Sequence, residues 1–199
     1  MGILLEKIMK INLGAGAWKL AGREWVSVDA DKRSKPEVIH DLRCIAYPFK
    51  DNVASFIFAS HIIEHLTYRQ AEDLLRESFR ILAPGGVIRI ATPDYLTAFT
   101  KYTQGKFAEW FKKIMESEKT WPDKNYPTDL LALSEEFIYA GAPHPLGHKS
   151  VWDIPTIIYF LKKVGCSEAF KSNYNDSAYP ELKGIDNRSE LSIYAEGVK

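Results

Sequence analysis

Gly14 and Gly16 close the apolar run "KIMKINL", and two acids recur further along, Asp29 in "VSVDAD" and Asp41 in "IHDL". A strand that ends in Gly-x-Gly lets its loop backbone approach a ligand above the sheet, because glycine has no Cβ. The crevice beyond the C-terminal strand ends is where open α/β sheets bind ligands. A carboxylate at Asp29 is suited to accept hydrogen bonds from both hydroxyls of a ribose, with Asp31 the alternative. Asp41 is suited to accept from an adenine amino group while Leu42 packs on the ring. The competing reading of each acid is a turn residue that bonds its own backbone.

Other nucleotide patterns fail on spacing. A phosphate loop needs Gly-x-x-x-x-Gly-Lys-Ser/Thr, which is absent. A dinucleotide fingerprint needs a third glycine where Lys19 stands, and Trp18 crowds the helix entry.

A second constellation is "SHIIEHL", residues 60–66. It contains H-x-x-E-H, the inverted zinc-protease pattern, which on a helix sets His61 and His65 on one face as metal ligands. A third ligand would come from Glu135, Glu136, His144 or His148. A pattern of five residues arises easily by chance, and this one follows a buried strand, so no metal is expected. The other reading puts Ser60 and His61 at the strand tip, with Glu64 and His65 opening the next helix. His61 is then the first candidate for a general base and His148 the second, with His65 and Asp94 of "TPD" as further candidates. Structural roles compete: imidazoles satisfying backbone groups, and Asp94 capping a helix. His40 is expected to be structural.

The elements that must hold these residues follow from hydrophobic periodicity. "KIMKINLG", "EWVSVDAD", "PEVIHDL" and "VASFIFAS" read as strands, largely continuous apolar runs of the kind that suits a parallel sheet covered on both faces. In "TYRQAEDLLRESFRILAPGG", Ala71, Leu74, Leu75, Phe79 and Leu82 recur at helical spacing. Thr67 is the expected N-cap, and Pro84-Gly85-Gly86 the expected stop and turn. "VIRIATPD" is the fifth strand. Residues 95–150 break the alternation with aromatic-rich helices and a Pro/Gly/His loop, read as an insertion after strand five. Tyr95, Phe99, Tyr102, Phe107, Trp110, Phe111, Trp121, Tyr126 and Tyr139 form either the insertion's own core or a pocket lining. "DIPTIIYFLKKVGC" is a helix closed by Gly165, and "SEAFKSNYN" and "SELSIYAEGVK" are two last strands. The alternation of strands and helices predicts a doubly wound α/β sheet, and the whole chain, 1–199, reads as one domain.

Strand–"NLGAG", strand–"VDAD", "IHDL", "FIFASHIIEHL" and "LRESFRILAPGGVIRIATPD" together resemble the class I S-adenosylmethionine-dependent methyltransferases, nearest the small type-11-like group. The resemblance covers residues 8–94 well and the last two strands weakly. It implies a Rossmann-like, seven-stranded sheet whose last strand is antiparallel, with S-adenosylmethionine over the first strands. It assigns cofactor contacts to Asn12, Leu13, Gly14, Ala15, Gly16, Asp29, Ala30, Asp41, Leu42, Ser60 and His61, and makes 95–150 a substrate-side lid. The chain departs from the family between Gly16 and Trp25, too short a span for a full first helix. Several candidate bases favour an oxygen acceptor, because a hydroxyl must lose its proton. The expected acceptor is a small molecule such as a sugar or glycan hydroxyl. The rival is a cofactor-binding module of the same fold without catalysis.

The chain has 199 residues, with 26 Lys plus Arg against 26 Asp plus Glu. That neutral balance lacks the field that draws in nucleic acid, so a nucleic-acid acceptor is not expected, although "KFAEWFKK" offers a local basic face. The two cysteines, Cys44 and Cys166, are far apart and read as reduced thiols. No apolar run reaches the roughly 20 residues of a membrane span. "MGILLEKIMK" is too short and too charged for a secretory signal, so a cytoplasmic location is expected. The sequence leaves the oligomeric state open.

Overall fold

The computed structural model describes residues 8–16, 18, 20, 24–118, 126–138, 147–188 and 191–199. Lys19, Trp121, Tyr139 and His144, named above, lie outside the described residues.

Seven strands form one sheet: β1 (Met9–Leu13), β2 (Trp25–Asp29), β3 (Val38–Ile39), β4 (Ala54–Ser60), β5 (Leu82–Pro93), β6 (Glu168–Ser172) and β7 (Ser192–Val198). Their order is β3-β2-β1-β4-β5-β7-β6. The first five are parallel, and β7 runs antiparallel to both β5 and β6. The expected α/β sheet with an antiparallel last strand is therefore the one observed. The order reverses beside β1, where β2 departs to one side and β4 lies on the other. That switch point opens a crevice at the C-terminal strand ends.

Helices α1 (Tyr68–Ile81) and α5 (Ile154–Val164) cover one face of the sheet. Leu74 and Leu75 of α1 and Ile157 and Leu161 of α5 are buried with Ile11, Ile57 and Ile90 of the strands. Thr67 caps α1 as its spacing predicts: its hydroxyl accepts from the Gln70 amide, and Gln70 reaches back to the Thr67 amide. Asp153 caps α5, and Gly165, at φ +115°, ends it. On the opposite face Phe58 and Val87 pack with Trp25, Leu182 and Ile185.

The loop that carries Leu182 and Ile185 is fixed by a buried cation. Arg89 of β5 donates to Asp186 at 2.9 and 2.5 Å and to Glu196 of β7. All three side chains are fully buried, so the pairing replaces the water they lose.

Two local expectations need correction. Pro84-Gly85-Gly86 does not separate the helix from the strand. β5 begins at Leu82, directly after α1, and five residues of β5 span the register that two of β4 span. The extra residues form an irregularity in the ladder, and their polar groups pair with Lys199: Gly85 N–H donates to its carbonyl and its N–H donates to Gly86. "HIIEH" does not open a helix either. His61 sits in the left-handed region at φ +55°, and Ile63–His65 is a single 3-10 turn before α1.

Beyond β5, residues 95–138 supply α2 (Tyr95–Thr103), α3 (Phe107–Glu118), α4 (Asp129–Leu133) and a π-type turn at Ser134–Ile138. Gly105, at φ +64°, separates α2 from α3. Tyr95, Phe107, Phe111, Met115 and Phe137 are buried together in a core of their own. These aromatics are therefore packing residues rather than an open lining. Phe99 and Tyr102 remain exposed.

Candidate active site

The tips of β1, β2 and β4 enclose a cleft of about 380 Å³ whose walls include Gly14, Gly16, Asp29, Asp41, Leu42 and His61. Ala30, Arg43, His65 and Lys149 complete much of the rest.

Gly14 and Gly16 both have positive φ, +64° and +51°. A Cβ on Gly14 would meet Ile62 Cδ1 at 1.9 Å, so only glycine fits under that side chain. A Cβ on Gly16 would meet nothing within 4 Å, so open space lies over its backbone. The Gly16 amide donates to Asp29 Oδ2 at 2.7 Å, and the Asp31 amide donates to Asp29 Oδ1 at 2.7 Å. The carboxylate is thereby fixed at the β2 tip while each oxygen keeps a further lone pair. None of the described residues between Gly16 and Trp25 is helical.

Asp41 is held by Arg43, whose Nε and Nη2 reach its oxygens at 2.9 and 2.6 Å. That guanidinium keeps the Asp41 carboxyl below the usual carboxylate range. Sequence reasoning missed Arg43, although its spacing two residues after Asp41 in a turn was visible. Leu42 is buried at the cleft wall, and Tyr47 donates its hydroxyl to the Leu42 carbonyl at 2.9 Å.

The remaining predicted contacts divide. Leu13 is wholly in the core. Asn12, Ala15 and Ser60 face a neighbouring recess with Trp18, Asn187 and Arg188, which Gly14 separates from the main cleft. Asn12 donates to the Trp18 carbonyl at 3.1 Å, and Ser60 donates to Asn187 at 3.0 Å. Asp94 is not in the cleft wall: it caps α2, bonding the Thr97 amide at 3.0 Å and the Thr97 hydroxyl at 2.7 Å. The bland alternative for Asp94 is the one found.

His61 lines the cleft with both ring nitrogens engaged. Nε2 lies 2.8 Å from Ser192 Oγ, and Nδ1 lies 3.1 Å from Glu64 Oε1. Glu64 is completely buried; Oε2 accepts from Thr92 at 3.1 Å, whereas Oε1 has no aligned hydrogen bond. Burial alone would raise its carboxyl, but His61, His65 and His148 together hold it below the ordinary glutamate range.

His148 arrives from far along the chain. The Lys149 and Ser150 amides donate to the Glu64 carbonyl at 2.7 and 3.2 Å, and Ser150 Oγ donates to the Leu66 carbonyl at 2.8 Å. These bonds lay the 148–150 segment along the 3-10 turn and set the His148 ring edge-on to His65, centroids 4.8 Å apart. His148 Nδ1 donates to the Phe137 carbonyl at 2.6 Å and lies 2.8 Å from the Tyr95 hydroxyl. Burial lowers its basicity, against the opposing pull of the Glu64 carboxylate.

The comparisons bear on the fold. Residues 16–90 match a family model described as a methyltransferase domain. No curated protein matches the chain. Among solved structures, an S-adenosylmethionine-dependent methyltransferase from Archaeoglobus fulgidus has TM-score 0.57 and 13% identity, over 98% of this chain and 88% of that one. A methyltransferase from Thermotoga maritima, described as a possible histamine N-methyltransferase, has TM-score 0.54 and 16% identity, over 98% and 84%. One from Mesorhizobium loti has TM-score 0.53 and 12% identity, over 98% and 92%. At these identities the likeness is one of fold. The family match spans residues 16–90 of the 199, and the solved structures extend the likeness in fold to nearly the whole chain.

Proposed function

We propose that the protein is an S-adenosylmethionine-dependent methyltransferase of class I, that it methylates a hydroxyl oxygen of a small molecule, such as a sugar, and that His61 is the base. The observation that carries this reading is His61 itself: a cleft-lining imidazole, turned there by a left-handed backbone and flanked by Ser192 and the buried Glu64. A carboxylate beside one ring nitrogen stabilises the imidazolium that forms when the ring takes a proton.

The cleft fits the cofactor on its own geometry. Asp29 accepts from the ribose hydroxyls with its remaining lone pairs, Asp41 and Leu42 receive adenine, and the open backbone at Gly16 lies toward the methionine portion. S-adenosylmethionine supplies a methyl carbon on a positively charged sulfur, and transfer leaves the C–S electron pair on sulfur as the C–O bond forms. The hydroxyl proton passes to His61 Nε2, which exchanges its contact with Ser192 Oγ for the acceptor while Nδ1 stays on Glu64. Because the sulfonium charge disappears in the reaction, a water-poor site does not oppose it, and orientation is the enzyme's main contribution, worth up to about 7–11 kcal/mol. We assign the described residues of 95–150 to the acceptor side, because Tyr95 at the start of α2 contacts His148 beside the 3-10 turn. No helix among the described residues is long and apolar enough to cross a membrane.

The test couples binding to turnover. Calorimetric titration with S-adenosylmethionine is expected to give one site, lost in Asp29→Ala. A panel of hydroxylated and amine acceptors is then assayed for methyl transfer with wild type and His61→Ala. Transfer to hydroxyls that collapses in His61→Ala supports the reading. Transfer confined to amines, or binding without turnover on any acceptor, refutes it, the latter in favour of a non-catalytic module.

A further inference from the structure

We infer that Glu64, His65 and His148 form a binding site for a divalent first-row transition ion at the edge of the cleft. One donor atom from each lies within 4.8 Å of the others. Donors bound to one such ion at about 2.0–2.2 Å stand roughly 3–3.6 Å apart, so closure needs side-chain shifts of about 1 Å.

Two features point to a cation, and a third holds the donors together. Glu64 is fully buried, and its Oε1 has no aligned hydrogen bond, only the His61 Nδ1 at 3.1 Å. A buried carboxylate oxygen so weakly paired keeps a lone pair for a further ligand. His148 gives its Nδ1 proton to the Phe137 carbonyl, which leaves Nε2 with its lone pair. That outer bond is the device by which metal-binding imidazoles are oriented. The third feature is the backbone clamp, in which Lys149 and Ser150 bond the Glu64 carbonyl and hold the two segments together. Two imidazoles and one carboxylate suit Zn²⁺, Mn²⁺ or Co²⁺ better than Mg²⁺, which prefers oxygen donors and keeps its waters.

This is not the zinc-protease arrangement of H-x-x-E-H. That pattern draws both histidine ligands from one helix, whereas here His61 is left-handed and outside the three-donor cluster, and the glutamate is itself a donor. Three protein donors leave a coordination position open. His65 belongs to both the cluster and the cleft wall. A cation there polarises the acceptor hydroxyl and eases loss of its proton to His61, a step that rests on the function proposed above. No electron is gained or lost.

The test uses Zn²⁺ and Co²⁺ alone on the whole, metal-stripped protein. Calorimetry with Zn²⁺ is expected to give one site, weakened at least tenfold in both His148→Ala and Glu64→Gln and unchanged in Cys44→Ser. Co²⁺ added to wild type is expected to develop the visible absorption of a nitrogen- and oxygen-ligated ion, which needs no variant and so does not depend on Glu64→Gln folding. Equal Zn²⁺ binding in wild type and His148→Ala, or no Co²⁺ spectrum at one equivalent, overturns the site. Titration of the stripped protein with S-adenosylmethionine separates the two ideas: intact cofactor binding with no metal site sinks only this one.

Discussion

The amide of Gly16 donates to Asp29 Oδ2 at 2.7 Å, joining the loop after β1 to the tip of β2 across 13 residues. The bond makes the glycine loop and the acid one unit. The Gly16 backbone holds the carboxylate that faces the cleft, and the carboxylate holds the loop open.

Asp29→Ala is therefore expected to weaken S-adenosylmethionine sharply. A hydrogen bond to a charged group is worth about 1.5–3 kcal/mol, and about 1.4 kcal/mol is tenfold in affinity. Loss of one such bond raises Kd roughly 10- to 100-fold. Calorimetry reads this directly, and an unchanged Kd removes Asp29 from the cofactor site.

Gly14→Ala and Gly16→Ala are expected to differ. Both place a side chain at positive φ, which costs about 1–2 kcal/mol. Only at Gly14 does the new methyl collide, with Ile62 Cδ1 at 1.9 Å. Thermal melting is expected to show the larger loss in Gly14→Ala. Gly16→Ala is expected to melt nearer wild type but to bind cofactor more weakly, because its methyl occupies cleft space.

Arg89→Met leaves Asp186 and Glu196 buried without their cation. Breaking a buried pair costs about 3–5 kcal/mol, and urea unfolding is expected to show a loss of that size. The loop that carries Asn187 into the second recess is expected to become more accessible to proteases. A stability within 1 kcal/mol of wild type, on the order of a surface substitution, would contradict the role assigned to Arg89.

The two thiols are expected to separate by reactivity. Cys44 is exposed, whereas burial pushes the Cys166 thiol from its ordinary 9.0 up to about 11. At pH 8 a thiol reagent is expected to label Cys44 alone in the native protein and both residues in urea, since the thiolate is the nucleophile. The raised value favours the protonated form in the folded state. Its contribution to stability is thus complete below about pH 9 and is lost as pH rises toward 11. Melting temperature measured from pH 7 to 11 is expected to fall across that window, and less so in Cys166→Ala.

The periodicity and punctuation of the chain by themselves determined the strands, α1 with its Thr67 cap, α5 with its Gly165 stop, and the glycine and acid positions at the strand tips. These are legible because each depends on neighbours a few residues away: a side chain's face, a cap, a backbone that only glycine adopts. Pro84-Gly85-Gly86 misled because a local turn signal was overruled by pairing with Lys199 at the other end of the chain. Asp94 was legible only as a choice between cap and acid, and Thr97 decided it. What tertiary structure alone decided is the company that His61 and His148 keep: Ser192 against His61, and His148 beside Glu64 and His65. Those meetings are made by backbone hydrogen bonds between distant segments. No spacing along the chain records them, because long-range bonds leave no period in the sequence.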